Sequence, residues 1–235
     1  MKSKFLYTLF FVIIFLSFSY GFAVGKYKFF PYKQLFAIKQ LANEDLNERN
    51  REYRIEIFEK FSPSVEIVLI GDSITEYGEW NDFFPSKKLS NRGVAGDTTK
   101  DVILRMDSIY TTKARKAFLM IGINDIYANL SINRIVENYK KIISSLKDKN
   151  FVVIAQSTIQ CQLEICGTDR VAKVNLLNKE LENLGKAEDI IFLNLGELSS
   201  ENGLNKDFTY DGIHLNALGY RYWVSKIDSK FNYIN

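Results

Sequence analysis

The sequence predicts an α/β fold: a three-layer α/β/α sandwich on a five-stranded parallel sheet, preceded by an N-terminal transmembrane helix. Three observations predict it. Five short apolar runs alternate, for the most part, with stretches of helical periodicity from residue 64 onward. Strands of this kind suit a sheet covered by helices on both faces. Polar motifs follow directly on the ends of the first three runs, where doubly wound sheets bind their ligands. Finally, Phe5 to Gly25 contains no charged residue. As a helix this run would be roughly 31 Å long, enough to cross a bilayer core.

The N-terminal segment, residues 1–30, reads as a membrane anchor or a signal segment. A cleaved signal would have a shorter apolar region and a small-x-small site, which Gly21-Phe22-Ala23 imitates poorly. An uncleaved anchor is therefore the expectation, and a secreted protein the alternative. Lysines flank the run on both sides, so the positive-inside count does not favour export. The short basic tail before the first apolar segment is nevertheless how export signals begin, and an extracytoplasmic domain (periplasmic or extracellular) is expected.

Residues 31–62 read as a helical stalk. Leu35, Ile38, Leu41 and Leu46 have rough helical spacing, and Asn43-Glu44-Asp45 to Arg54 is strongly polar. Residues 63–235 form the main domain. Strands are expected at Val65 to Ile70, Lys88 to Arg92, Ala117 to Ile121, Phe151 to Ala155 and Ile190 to Asn194. Helices are expected over Thr98 to Tyr110, Ser131 to Lys149, Arg170 to Lys186 and Ala217 to Lys230. In the second of these, Ile135, Tyr139, Ile142 and Leu146 recur at spacings of three and four. A five-stranded doubly wound sheet usually takes the flavodoxin-like order 2-1-3-4-5.

Composition narrows the function. The chain is 46% apolar and 25% charged, which argues against disorder. Its net charge is +3, yet residues 1–31 hold four lysines and no acid, leaving the rest at −1. The main domain therefore lacks the basic stripe of a nucleic-acid binder, and no nucleic-acid partner is expected. One histidine and two cysteines are too few soft ligands for a zinc site. Cys161 and Cys166 are either a disulfide or two unpaired thiols in a loop.

The one histidine, His214, stands three residues after Asp211. Near neutral pH it is the side chain naturally poised to act as a base. Within a turn or a helix start, that spacing puts both side chains on one side of the backbone. Aspartate can then accept from Nδ1 and leave Nε2 to take a proton from a serine. Ser73, two residues past the first strand at a glycine-led turn, is the candidate nucleophile. A serine there commonly just caps the following helix, and an Asp-His pair can be a capped surface histidine. Gly96, in a glycine-bearing loop that enters a helix, offers a backbone N–H to an oxyanion. The Asn124 amide, beyond the third strand, could donate to the same charge. Either could also be an ordinary turn residue.

Together these blocks resemble the SGNH hydrolases, also called GDSL esterases and lipases. The resemblance covers roughly residues 64–225. It rests on Gly71-Asp72-Ser73-Ile74, Gly96-Asp97-Thr98, Gly122-Ile123-Asn124-Asp125 and Asp211-Gly212-Ile213-His214, in the family's chain order. Ile74 stands where the family name has leucine. Gly96-Asp97-Thr98 and Leu215 to Tyr220 are most similar to the acetylhydrolase and carbohydrate-esterase branches. The resemblance implies Ser73 as nucleophile, His214 as base and Asp211 as its orienting carboxylate. It also implies an oxyanion hole of the Ser73 N–H, the Gly96 N–H and the Asn124 amide, with no cofactor and no metal. The expected substrate is an ester-linked small acyl group on a carbohydrate or a lipid. The alternatives are an O-acyltransferase on envelope glycan using the same residues and a non-catalytic, membrane-anchored glycan-binding module. Tyr77 to Trp80 and Ser157 to Thr168 are expected as loops that wall the pocket.

Overall fold

The computed structural model describes residues 2–28, 30–200 and 202–231. The side chains of Lys2, Leu41 and Asn43 to Asp45, which figured in the sequence reading, lie outside the described residues. The chain divides into two units, Met1–Asn50 and Arg51–Asn235.

The first unit is helical. Helix α1 (Lys2–Tyr27) holds an apolar stretch, Lys4–Tyr27, whose most apolar window has no buried side chain. By length and composition it has what a membrane anchor or a signal segment needs. Helix α2 (Tyr32–Lys60) starts in this unit and ends in the second.

In the second unit the chain runs β1 (Ile67–Gly71), α3 (Ser73–Glu76), α4 (Trp80–Phe83), β2 (Leu89–Gly93), α5 (Thr99–Leu104), α6 (Met106–Tyr110) and β3 (Lys116–Met120). It continues through α7 (Ile123–Tyr127), α8 (Ile132–Lys147), β4 (Val152–Gln156), α9 (Leu163–Ala187), β5 (Ile191–Leu193) and α10 (Ala217–Phe231). The five strands pair in parallel in the order β2-β1-β3-β4-β5, as expected of the fold. A short antiparallel ribbon, β6 (Ser199–Ser200) with β7 (Gly203–Leu204), lies between β5 and α10.

Strand alternation builds two cores. Val68, Ile70, Leu119 and Ile121 pack with the inner faces of α5, α6, α8 and α9. Ile67, Leu69, Phe118 and Met120 pack with Trp80 and with Tyr220, Trp223, Ile227 and Phe231 of α10. All four periodic residues of α8, Ile135, Tyr139, Ile142 and Leu146, are fully buried. Burying a large apolar side chain contributes about 1.5–3 kcal/mol, so tertiary burial outweighs helix propensity in holding these layers.

Two expected helices differ from those observed. The helix expected from Thr98 to Tyr110 is broken at Arg105, whose backbone (φ −115°, ψ 21°) leaves the helical region. The break lets the Arg105 side chain turn inward, where Nε meets Asp97 Oδ2 at 2.6 Å and Nη2 donates to the Gly71 carbonyl at 3.3 Å. Helix α9 starts at Leu163 rather than Arg170, with a non-helical joint at Gly167. Just before and within that early turn, Cys161 and Cys166 are joined by a disulfide.

The end of β3 is fixed from the core. The Tyr139 hydroxyl accepts from the Ile121 N–H (3.2 Å) and donates to its carbonyl (2.8 Å). Thr158 Oγ1 donates to the same carbonyl at 2.6 Å. Ile121 thereby satisfies its backbone without a neighbouring strand, and the chain can turn away at Gly122.

Candidate active site

The register of the sheet assembles the site. Gly71 pairs with Gly93 on one side and with Met120 on the other. Strands β1, β2 and β3 therefore end level, and Ser73, Gly96 and Asn124 all follow at the same edge. Gly93 is required by this packing. A Cβ there would run into the backbone of Thr75 and Glu76, in the helix that starts with Ser73.

Ser73 is the first residue of α3, but it is not the cap. Asp72 holds that position and accepts from the Ile74 N–H at 3.0 Å. The Ser73 hydroxyl is thus free, and its Oγ lies 3.0 Å from His214 Nε2. Residues 141 positions apart have been brought into hydrogen-bond contact.

The His214 loop is held by its own polar side chains. Asp211 Oδ1 accepts from the backbone N–H groups of Ile213 (2.9 Å) and His214 (2.7 Å), while Oδ2 lies 2.7 Å from His214 Nδ1. Thr209 Oγ1 donates to the His214 carbonyl at 2.7 Å. Burial raises the Asp211 carboxyl, but the hydrogen bond from the imidazole and the two backbone donors outweigh it and hold the group below the ordinary aspartate range. An ionised Asp211 fixes the tautomer with the proton on Nδ1, leaving the Nε2 lone pair facing the serine. Asp211 is thus both a backbone cap and a ring partner.

The two other blocks meet beside Ser73. Gly96 sits at φ +81°, a left-handed conformation that glycine adopts at no steric cost. Asn124 Nδ2 donates to the Asp97 carbonyl at 2.9 Å, tying the loop after β2 to the turn after β3. Among the described residues, neither the Ser73 N–H nor the Gly96 N–H has a hydrogen-bond acceptor. An arrangement of this kind can pass a proton from a hydroxyl to an imidazole and has N–H donors left over for an anion.

Asp72 is fully buried and its Oδ2 has no hydrogen-bond partner. Burial pushes its pKa up to about 7, against the Ile74 N–H, which lowers it; the nearby Asp97 and Asp125 carboxylates add to the rise. The folded protein therefore holds this proton more tightly than the unfolded chain does. The stability it contributes is complete below the ordinary aspartate value and drains away as pH rises to about 7. Asp72→Asn keeps the acceptor for Ile74 and removes the titration. Relative to wild type, the variant is expected to gain stability progressively between about pH 4 and 7, by up to about 4 kcal/mol, and then to level off. Urea unfolding at a series of pH values checks this; a stability difference that does not vary with pH would contradict it.

Some neighbours carried no sequence signal. Glu76 Oε2 accepts from the Ala95 N–H at 2.5 Å, and Arg51 Nε donates to Asp97 Oδ1 at 2.9 Å. The Tyr77 and Tyr210 rings lie near the imidazole, with centroids 5.1 and 6.1 Å away. Tyr77 belongs to a segment expected to wall the pocket, and its ring is exposed. Trp80, in the same segment, is instead buried in the core, T-shaped against Trp223 and donating to the Thr75 carbonyl. Of the second expected wall, Ser157 to Gln160 are buried and Leu163 onward is helix.

Residues 69–222 match the GDSL-like lipase/acylhydrolase family. The chain belongs to that family. Solved structures of similar fold include a candidate platelet activating factor from Streptococcus pneumonia, 24% identical, with a TM-score of 0.73 over 82% of this chain and 98% of that one. A GDSL-like lipase from Bacteroides thetaiotaomicron is 22% identical, with a TM-score of 0.70 over 79% and 98%. The acetyl xylan esterase AlAXEase is 19% identical, with a TM-score of 0.61 over 70% and 98%. Among curated proteins, N-acylneuraminate cytidylyltransferases of Streptococcus agalactiae are 25% identical over 66% of this chain but 36% of their own length. The GDSL chain thus spans about a third of the curated relatives it matches.

Proposed function

We propose that the protein is a membrane-anchored serine esterase that removes a small acyl group from a carbohydrate. The carrying observation is the unbroken row from Ser73 Oγ through the imidazole to Asp211, with contacts of 3.0 and 2.7 Å. In this reading Ser73 attacks the ester carbonyl as His214 Nε2 takes its proton. The charge on the carbonyl oxygen is met by the Ser73 N–H, the Gly96 N–H and the Asn124 amide. His214 returns the proton to the leaving alcohol, and water, activated by the same imidazole, releases the acyl group from Ser73. Asp211 orients the ring and stabilises its charged form.

A carbohydrate is favoured over a lipid ester for two reasons. Two exposed tyrosine rings lie close to His214, flat apolar surfaces on which a sugar ring can rest. The curated relatives are named for N-acylneuraminate, a sugar acid, and a fold neighbour for acetyl xylan. The Cys161–Cys166 disulfide supports an oxidising compartment outside the cytoplasm, with α1 as the anchor.

The test uses the full chain in detergent, with p-nitrophenyl acetate, longer acyl esters and acetylated oligosaccharides as substrates. Release of acetate from the sugar ester in preference to long-chain esters is expected, and the reverse preference points to a lipid. Acyl transfer to an added glycan in place of hydrolysis would redirect the reading to a transferase. Asn124→Ala should lower kcat by about 10²–10³-fold with little change in KM, because an oxyanion donor acts only in the transition state. Unchanged kcat would remove Asn124 from the machinery.

A further inference from the structure

Gly96 lies in a tight turn that the Asp97 N–H closes by donating to the Val94 carbonyl at 3.1 Å. A Cβ at Gly96 would touch nothing within 4 Å, so nothing packs on that side of the residue. Beyond that turn, its position is set by the two ends of the loop. Val94 N–H donates to the Gly71 carbonyl, and the Asp97 carbonyl accepts from Asn124. Further anchors lead to α2. Arg54 Nε donates to the Gly93 carbonyl at 2.5 Å and lies 3.5 Å from Glu76 Oε1, while Glu76 Oε2 accepts from the Ala95 N–H. Arg51 Nε meets Asp97 Oδ1 at 2.9 Å, opposite Arg105 on Oδ2, and Arg51 Nη2 lies 3.5 Å from Asp101.

This end of α2 is built in. Phe58 is buried, with the Arg92 guanidinium 4.3 Å and that of Arg54 5.1 Å from its ring centre. Ser62 Oγ closes the turn against Thr111 at 2.7 Å. Arg51, Arg54 and Phe58 are spaced three and four apart, so one face of the helix presents all three. Asp97 is fully buried and already neutralised by Arg105, so bulk charge balance does not call for a second guanidinium.

We propose that Arg51 and Arg54 are positioning residues that hold the Gly93–Asp97 loop and thereby aim the Gly96 N–H at the reacting oxygen. The proposal rests on the esterase reading of the site. It extends the functional machinery into the helix that the sequence reads as a stalk. The arginines touch no substrate and act through the loop.

The experiment compares R51A/R54A, Arg51→Ala and Arg51→Lys with wild type in the full chain, in detergent. An exposed ion-pair variant, Arg134→Ala, serves as control. The double variant should lose about 10²-fold in kcat, the cost of a small misplacement of a catalytic group, with KM within about twofold of wild type. Its melting temperature is measured alongside, because Arg51 meets a fully buried carboxylate and both arginines are part-buried, and kcat is compared at a temperature where each variant remains folded. Arg51→Lys, which keeps the cation opposite Asp97, should retain more of kcat than Arg51→Ala. If the double variant fails to fold, Arg51→Ala alone, which keeps Arg54 and the Phe58 contact, carries the test through the same split between kcat and KM. A kcat within about threefold of wild type, far short of the misplacement cost, overturns the proposal. So does a loss that merely follows the unfolded fraction. Ser73→Ala is measured alongside. If it is as active as wild type, the esterase reading and this proposal fall together; if it is inactive while R51A/R54A is not, only this proposal falls.

Discussion

Ser73→Ala is expected to lower turnover of p-nitrophenyl acetate by about 10⁶-fold, and His214→Ala by a similar factor. The double variant should be no slower than either single one. The reason is that hydroxyl and imidazole act as a unit: the 3.0 Å contact between them is useful only when both are present. Without the serine, His214 has no proton to take; without the histidine, Ser73 keeps its proton and attacks poorly. What remains is the contribution of the N–H donors, which none of these changes removes. The measurement is steady-state hydrolysis by the three variants, with labelling by a fluorophosphonate to count competent serines. Losses that multiply in the double variant would mean that the two side chains act independently, against the proton transfer proposed.

Asp211→Asn is expected to cost about 10⁴-fold in kcat, with the fold intact. The substitution is nearly isosteric. Its carbonyl oxygen can still accept from the Ile213 and His214 N–H groups, so the loop keeps its shape. The change falls on the ring. An amide NH₂ facing Nδ1 is a donor facing a donor, and the imidazole must place its proton on Nε2 instead. Nε2 then has no lone pair for Ser73. Wild-type-like melting with a large fall in kcat is the expected result. A variant that retains most of its activity would reduce Asp211 to a loop cap.

Much of this arrangement was legible in the sequence. Each of the five expected strands falls within two residues of an observed one, because apolar runs such as Ile67 to Ile70 are buried on both faces and carry an unambiguous pattern. Ser73, Asp211 and His214 could be picked out because the chain offers a single histidine and the fold collects motifs at one edge. The helix breaks were not legible. Arg105 looks like an exposed helical arginine until Asp97 is known to be buried beneath it. Arg51 and Arg54 end a strongly polar run that reads as a stalk, and Phe58 follows it, with nothing in the run to say what the helix packs against. Their partners, Asp97, Gly93 and Arg92, lie some forty residues away, and local periodicity carries no information about contacts at that range. Trp80 was misread for a related reason: it belongs to a loop-like stretch, and only the arrival of Trp223 from the far end of the chain makes it interior.

The Tyr139 phenol has a further consequence. It comes from the middle of a core helix, is wholly shielded from water, and decides where the third strand lets go of the sheet. Asn124, in the first turn of α7, lies only three residues beyond Ile121. The amide that would meet the developing charge thus inherits the stiffness of the molecule's interior, and has little freedom left to lose at the instant the substrate's electrons shift.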